Sequence, residues 1–175
     1  IFILKLDHDG NFAWAKQIGG PFNFFVPTPA HAAAIAVDAS GNQYLTGYFD
    51  GTIDFDPDPN AEFEMISQTN STDIFVCKLS TNGALVWAKQ FHGNQPHFGG
   101  VGYDIAVNSL GEVYSTGTIG GSVDFDPGMA NFYLEPSVSG QTEAYLSKLD
   151  AQGNFVWAKA MGAGEGSSLA VDDQG

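Results

Sequence analysis

The chain has 175 residues, of which 43% are hydrophobic, and its 20 acidic and 6 basic residues give a formal net charge of −14. This length suits one domain with a substantial core, and the negative charge argues against a protein that binds nucleic acid or an acidic lipid surface. No run of about 18 apolar residues is present, so we expect no membrane insertion.

The chain repeats itself. Trp14, Trp87 and Trp157 are separated by 73 and 70 residues, and the sequence Asp-Phe-Asp-Pro occurs at 54–57 and again at 124–127. A fixed long period of this kind is the signature of a repeat architecture.

Each repeat predicts four short strands that are rich in Val, Ile, Tyr, Phe and Trp and bounded by Gly, Asn and Asp. In chain order the predicted strands are 1–6, 11–18, 33–38, 42–49, 73–79, 84–91, 103–108, 112–119, 143–149, 154–161 and 167–172. Tight turns join the first strand to the second and the third to the fourth, whereas the other connections are long. If the strands alternate in direction, both long connections emerge on one face, which we call the long-loop face.

Four-stranded antiparallel sheets with a small-residue first strand predict an all-β fold, a segment of a β-propeller with about two and a half repeats of roughly 70 to 73 residues. We expect residues 1–175 to form part of one propeller domain. Residues 1–18 are the outer strands of one blade, 31–92 and 102–162 are full blades, and 166–175 begin the next. Because a propeller closes with roughly four to eight blades, we expect a fragment of a larger protein, whose remaining blades come from the same or another chain.

Residues at repeated positions have structural interpretations. Trp14, Trp87 and Trp157 lie on one face of the fourth strand and predict contact with the neighbouring sheet, whereas a row of exposed rings that stack on sugars is the alternative. All six lysines occupy repeated positions, and we expect each to neutralise a nearby carboxylate. Cys77, the only cysteine, aligns with a leucine and a serine, which predicts a packing position rather than a reactive thiol.

The repeat also resembles a known family. The stretches AAAIAVDASGNQYLTGYFDGTIDFDP, DIFVCKL and GALVWAKQF resemble the SBBP-type bacterial β-propeller repeat, and IAVDASGNQYLTG is also similar to NHL-type repeats. The resemblance implies a secreted or cell-surface bacterial protein, hence an extracellular location, and it carries no catalytic residue set. Asp58 departs from the family form, in which glycine is usual, as at Gly128.

The Asp-Phe-Asp-Pro stretches allow two interpretations. Carboxylates at alternate positions can converge on calcium, and the candidate ligands are Asp54, Asp56, Asp58, Asp124 and Asp126. The alternative is a turn, because aspartate before proline favours a bend and its carboxylate accepts backbone N–H groups. The turn interpretation predicts that Phe55 and Phe125 point into the interface between blades.

The histidines suggest no site. His8, His31, His92 and His97 share no repeat position, and His92 and His97 lack a partner at a usual zinc spacing. We expect this pair to face solvent. No catalytic residue set and no cofactor other than calcium is predicted.

Three functions remain open. The first is a non-catalytic scaffold or binding module whose long-loop face contacts a protein or a glycan. The second is a structural surface or filament component completed by neighbouring chains. The third is part of a glycan- or peptide-active enzyme whose site lies in other blades, because catalysis usually requires an unrepeated set of groups.

Overall fold

The computed structural model describes residues 1–19, 30–67, 71–94 and 99–172, and in these ranges the chain is all-β, with antiparallel sheets and no helix. The predicted all-β class is therefore confirmed. Among the described residues no helix has the length and hydropathy needed to cross a membrane. The strands are β1 (Phe2–Leu6), β2 (Phe12–Gln17), β3 (Ala30–Val37), β4 (Gln43–Phe49), β5 (Thr52–Asp54), β6 (Glu64–Ile66), β7 (Asp73–Leu79), β8 (Leu85–Gly93), β9 (Gly100–Val107), β10 (Val113–Ile119), β11 (Val123–Asp124), β12 (Tyr133–Leu134), β13 (Glu143–Leu149) and β14 (Phe155–Ala163).

The two complete repeats form two equivalent sheets. Strands β3, β4, β7 and β8 lie side by side in chain order and make the first unit, and β9, β10, β13 and β14 make the second unit in the same order. Every pairing within a unit is antiparallel. Strands β1 and β2 form a separate antiparallel pair that precedes the first unit.

Side-chain caps and glycines fix the tight turns. In the turn between β13 and β14, Asp150 Oδ1 accepts hydrogen bonds from the N–H groups of Gln152 (2.9 Å) and Asn154 (2.8 Å). Gly153 follows with a φ of 79°, a conformation that a residue with a Cβ adopts at a cost. The aspartate therefore starts the turn and the glycine allows it to close.

The long connections between the second and third strands contain hairpins that the sequence did not predict. Strand β5 pairs with β6, and β11 pairs with β12. Strand β11 also pairs with β8 of the first unit, with Val123 opposite Gly93 and Asp124 opposite His92. The hairpin of the second unit therefore extends the sheet of the first unit to six strands.

The first hairpin makes a similar contact. The N–H of Gly19, just after β2, donates to the carbonyl oxygen of Asp54 in β5 at 2.8 Å. Each hairpin thus bonds to the outer strand of the preceding part of the repeat, or to a residue just beyond that strand.

The hydrophobic core lies between successive sheets. The ring of Phe125, next to β11, lies 4.8 Å from the ring of Phe91 in the first unit and 4.8 Å from that of Tyr145 in the second. All three side chains are fully buried. A second cluster joins Ile3 and Ile18, from the part before the first unit, to Phe55 and Phe75, among others.

A glycine allows strand β9 to approach the sheet of the first unit closely. A Cβ added to Gly102 in β9 would lie 2.5 Å from Thr46 Oγ1 and 3.1 Å from the carbonyl oxygen of Gly47, both in β4. A side chain there would force the Thr46 side chain to shift and would press on the backbone of Gly47.

One predicted strand is absent. Residues 167–172 are described but are not a strand, although Leu169 N donates to Asp104 Oδ2 at 2.8 Å and Gly166 N to the Gly117 carbonyl at 3.0 Å. The equivalent strand β3 is held by its partner β4, and the described residues contain no such partner for 167–172. The remainder of the predicted 166–175 segment, 173–175, lies outside the described residues.

Candidate functional site

The first aspartate of each Asp-Phe-Asp-Pro stretch closes its hairpin. Asp54 Oδ1 accepts hydrogen bonds from the N–H groups of Asp56 and Phe63, both at 2.9 Å. Asp124 Oδ1 accepts from Asp126 at 3.1 Å and from Phe132 at 2.8 Å. One carboxylate oxygen therefore satisfies two backbone donors in each loop, as the turn interpretation predicts.

The next aspartates continue the same chain of turns. Asp56 Oδ1 accepts the N–H of Asp58 at 2.9 Å, and Asp126 Oδ1 accepts the N–H of Gly128 at 2.8 Å. Asp58 accepts the N–H of Asn60 at 2.9 Å, and this bond lowers the pKa of the Asp58 carboxyl. The extra aspartate of the first copy thus adds one more local turn.

The calcium candidates do not form one cluster. Asp54, Asp56 and Asp58 lie in the first hairpin and Asp124 and Asp126 in the second, and each carboxylate accepts a backbone N–H. The described residues contain no group of three or more His, Cys, Asp or Glu side chains placed to hold a metal ion. The geometry supports turn formation.

The aromatic residue of each stretch anchors the hairpin. Phe55 and Phe125 are fully buried. Phe55 packs on Phe49 and Phe75 of its own unit at ring distances of 5.5 and 5.0 Å, in the cluster that also includes Ile3 and Ile18. Both phenylalanines therefore point into the interface between successive sheets, as predicted. Strand β5 ends at Asp54 and β11 at Asp124, so pairing stops before each proline.

Two of the three repeated tryptophans, Trp14 and Trp87, contact the following unit, which supports the packing interpretation. Trp14 Nε1 donates to the carbonyl oxygen of Thr81 at 3.2 Å, and Trp87 Nε1 donates to that of Ala151 at 3.3 Å. Thr81 and Ala151 occupy equivalent tight turns, 70 residues apart. A Cβ on Gly153 would lie 3.1 Å from the Trp87 ring, so the turn glycine also makes room for the indole.

The contacts of the lysine side chains differ in part from the prediction that each lysine neutralises a nearby carboxylate. Among the described residues only Lys148 pairs with a carboxylate, with Nζ 2.8 Å from Glu112 Oε2. Lys5 Nζ donates to the Thr81 carbonyl at 2.9 Å, Lys78 lies over the Tyr44 ring at 4.9 Å, and Lys159 lies over Trp157 at 5.4 Å. The expectation is met at Lys148, and Lys16 and Lys89 act electrostatically on Asp58 and Asp150. It is not met at Lys5, Lys78 and Lys159, whose ammonium groups lie against a turn carbonyl or aromatic faces.

His92 is exposed, as predicted, but it also makes a contact that the sequence did not predict. Its side chain is 49% exposed, and Nδ1 lies 3.3 Å from Oδ2 of the fully buried Asp73. The contact with Asp73 raises the pKa of His92. Asp73 further accepts hydrogen bonds from Gln90 Nε2 at 2.6 Å and from the Gly93 N–H at 3.0 Å. His97 lies outside the described residues.

The buried carboxylate of Asp73 was missed by sequence reasoning, although a signal exists. Glu143 occupies the same place at the start of the third strand in the second unit, is also buried, and accepts the N–H groups of Ser137 at 2.6 Å and Gly162 at 3.1 Å. An acidic residue repeated at a strand start therefore marks a carboxylate that binds backbone.

The thiol of Cys77 has a structural role. Its side chain is fully buried, and burial raises the pKa of the thiol. The prediction of a packing position is confirmed.

A space of about 610 Å³ beside the first hairpin is lined by Lys16, Asp54, Asp56 and Asp58, among others. Two further open spaces on the described surface are candidates for binding. One, on the long-loop face, has a volume of about 360 Å³ and is lined by Gly120, Gly121, Ser122, Glu135, Pro136, Ser137, Ser139 and Gly140. The other is a groove of about 720 Å³ beside Trp157, Tyr114, Leu146 and the segment 169–172.

In comparisons with known proteins, no family model and no curated protein matches the chain. The resemblance to SBBP-type repeats stays a prediction that rests on the quoted motifs.

Proposed function

We propose that the chain is a non-catalytic scaffold segment of β-propeller type, whose long-loop face serves as a binding surface. The observation that carries this proposal is the repeated junction: the same contacts join successive parts of the chain twice. In a repeat scaffold, stability comes from such nearest-neighbour interfaces, and further units can be added to them.

The junction has two recurring components. A tryptophan of one unit donates to the tight turn of the next, at Trp14 and at Trp87. A hairpin of the following unit bonds at the outer strand of the preceding one, at Gly19 and at Gly93. Both components run in the same direction along the chain, so each unit is completed by its successor.

The groove beside Trp157 supports the addition of another unit. It is lined by Tyr114, Leu146, Trp157 and the segment 169–172. At the equivalent place in the first unit, Tyr44 and Trp87 contact each other edge to face, and the Trp87 ring is covered by the turn of the second unit. A further unit of the same or another chain fits this groove, which makes a surface or filament component assembled between chains the second candidate.

The contact between Asp73 and His92 favours a structural role over catalysis. Asp73 and His92 form the closest contact between a buried carboxylate and a histidine in the described chain. The other partners of Asp73 are Gln90 and the Gly93 N–H, so the group holds the end of β8. The extracellular or cell-surface location is proposed from the family resemblance alone.

An extended chain tests the scaffold proposal. Residues 109–172 are repeated after Asp172, so that one more unit follows in register. We expect the melting temperature to rise, and the 19F resonance of Trp157 in 5-fluorotryptophan-labelled protein to lose its sensitivity to a soluble quencher. The resonance is assigned with Trp157→Phe.

The control is an extension of the same composition in scrambled order, which should change neither quantity. If the in-register extension leaves the melting temperature and the exposure of Trp157 as they were, the scaffold proposal is wrong.

A further inference from the structure

The two hairpins on the long-loop face differ at the end opposite the aspartate turn, where their two strands separate. In the first hairpin, the Ser67 N–H donates to the Gly51 carbonyl at 3.0 Å, and Ser67 Oγ accepts the Gly51 N–H at 2.7 Å. Ser67 Oγ also lies 3.3 Å from Asp50 Oδ1. These bonds close the hairpin just beyond its last strand pair, Thr52 and Ile66.

The second hairpin is not closed in this way. Because Leu134 pairs with Val123 as Met65 pairs with Ile53, Pro136 occupies the place of Ser67, and Gly120 that of Asp50. Proline has no N–H to donate and no hydroxyl to accept. Pairing accordingly covers two residues on each strand instead of three.

The cavity of about 360 Å³ on the long-loop face lies at this opening, between Gly120–Ser122 and the segment from Glu135 to Gly140. Its volume lies at the lower end of the range of about 300 to 1,000 Å³ that is usual for ligand sites. At the equivalent place in the first hairpin, Ser67 bonds to Gly51 instead.

The lining groups define the kind of ligand. Glu135 supplies an acceptor carboxylate, Ser137 and Ser139 supply hydroxyls that both donate and accept, and Pro136 supplies an apolar surface. Glu143 lies close by, because its Oε2 accepts the Ser137 N–H at 2.6 Å. Two carboxylates and a chain charge of −14 disfavour an anion, whereas a neutral molecule with adjacent hydroxyl groups matches both the acceptors and the donors.

We propose that this cavity binds a single sugar residue of a neutral glycan. The inference deepens the proposed binding role of the long-loop face and rests on it. A peptide is less well matched, since the lining offers no deep apolar pocket for its side chains.

The test uses the intact chain and four probes: the methyl glycosides of glucose, galactose, mannose and N-acetylglucosamine. We expect at least one of them to receive saturation transfer from the protein and to shift the amide resonances of Gly120, Gly121, Ser137 and Gly140. Glu135→Gln should weaken this binding about tenfold, the usual effect of losing a hydrogen bond to a charged group.

Two variants locate the site. Pro136→Ser restores a donor opposite the Gly121 carbonyl, as Ser67 provides in the first hairpin, so we expect it to close the cavity and abolish the shifts. Glu64→Gln removes the same charge from the first hairpin and should leave the affinity unchanged.

The inference is overturned if no glycoside shifts these amides, if calcium chloride or sodium phosphate alone shifts them, or if Pro136→Ser binds as tightly as the natural chain. Shielding of Trp157 in the extended chain does not depend on Glu135 or Pro136. Failure of the sugar site with retained shielding therefore leaves the scaffold proposal standing.

Discussion

The buried carboxylates of Asp73 and Glu143 accept hydrogen bonds from backbone N–H groups. Asp73 is fully buried, and its oxygens accept hydrogen bonds from Gln90, His92 and the N–H of Gly93. A buried charge without such partners would strongly destabilise the fold. This explains why acidic residues recur at the start of the third strand, where they hold the far end of the fourth.

The contact between His92 and Asp73 predicts a pH dependence of stability. Asp73 on β7 raises the pKa of His92, and Asp124 on the adjacent β11 acts in the same direction. A group whose pKa is higher in the folded state stabilises that state fully below its unfolded pKa of about 6.5, and this contribution is lost as the pH rises through the folded value.

We therefore expect the free energy of unfolding of the natural chain to exceed that of His92→Gln most at about pH 5.5, and the difference to shrink towards about pH 8.5. Urea unfolding at a series of pH values measures it. His8→Gln is the matched control, because the His8 side chain is 90% exposed. A difference that stays constant or grows with pH contradicts the assignment.

The strands were predictable and the hairpins were not. Strand β7 begins and ends where the sequence places it, at 73–79, because a short continuous apolar run between turn residues defines it locally. Strands β11 and β12 have two residues each, too few for a periodic signal, and β11 is held by pairing with another unit. The absent strand at 167–172 has the opposite cause, since its local pattern is clear but the described residues contain no strand that pairs with it.

The candidate site was predictable only where its contacts are local in sequence. The turns at Asp54 and Asp124 follow from local aspartate and proline chemistry. The partners of Asp73 come from the neighbouring strand, so no local pattern reveals them. The cavity depends on the exchange of Ser67 in the first copy for Pro136 in the second. This exchange could not be recognised from the sequence, because the two residues align only through the strand pairing of the hairpins.

The tryptophans offer a matched pair of substitutions. Trp87 is half-buried and contacts the turn of the second unit, whereas Trp157 occupies the same repeat position beside the open groove. We expect Trp87→Ala to cost about 2 to 3 kcal/mol of unfolding free energy, below the range for a fully buried tryptophan. Trp157→Ala should cost clearly less, because among the described residues its indole borders an open groove.

Chemical denaturation of the two variants measures these costs. Equal losses would mean that the indole stabilises its own sheet and not the junction.

As a whole, the described chain is a series of sheets in which the β1–β2 pair contacts the first unit and the first unit contacts the second in a similar way. Phe125 contacts both Phe91 and Tyr145, and β11 pairs with β8, so the Asp-Phe-Asp-Pro hairpin belongs structurally to two units at once. This double role accounts for the repetition of the motif about 70 residues apart. It also predicts that damage to one hairpin loosens the preceding unit.

Amide hydrogen exchange at Asn94 tests most directly whether the second hairpin joins the two units. The Asn94 N–H belongs to the end of the first unit and donates to the Ser122 carbonyl in the hairpin of the second at 3.0 Å. Asp124→Ala removes the carboxylate that accepts the N–H groups of Asp126 and Phe132 in this hairpin. The control is Asp126→Ala, because among the described contacts the Asp126 carboxylate accepts only the Gly128 N–H. We predict much faster exchange of Asn94 in Asp124→Ala and nearly natural exchange in Asp126→Ala. If Asp124→Ala speeds exchange only within residues 121–134 and leaves Asn94 protected, the hairpin does not join the units.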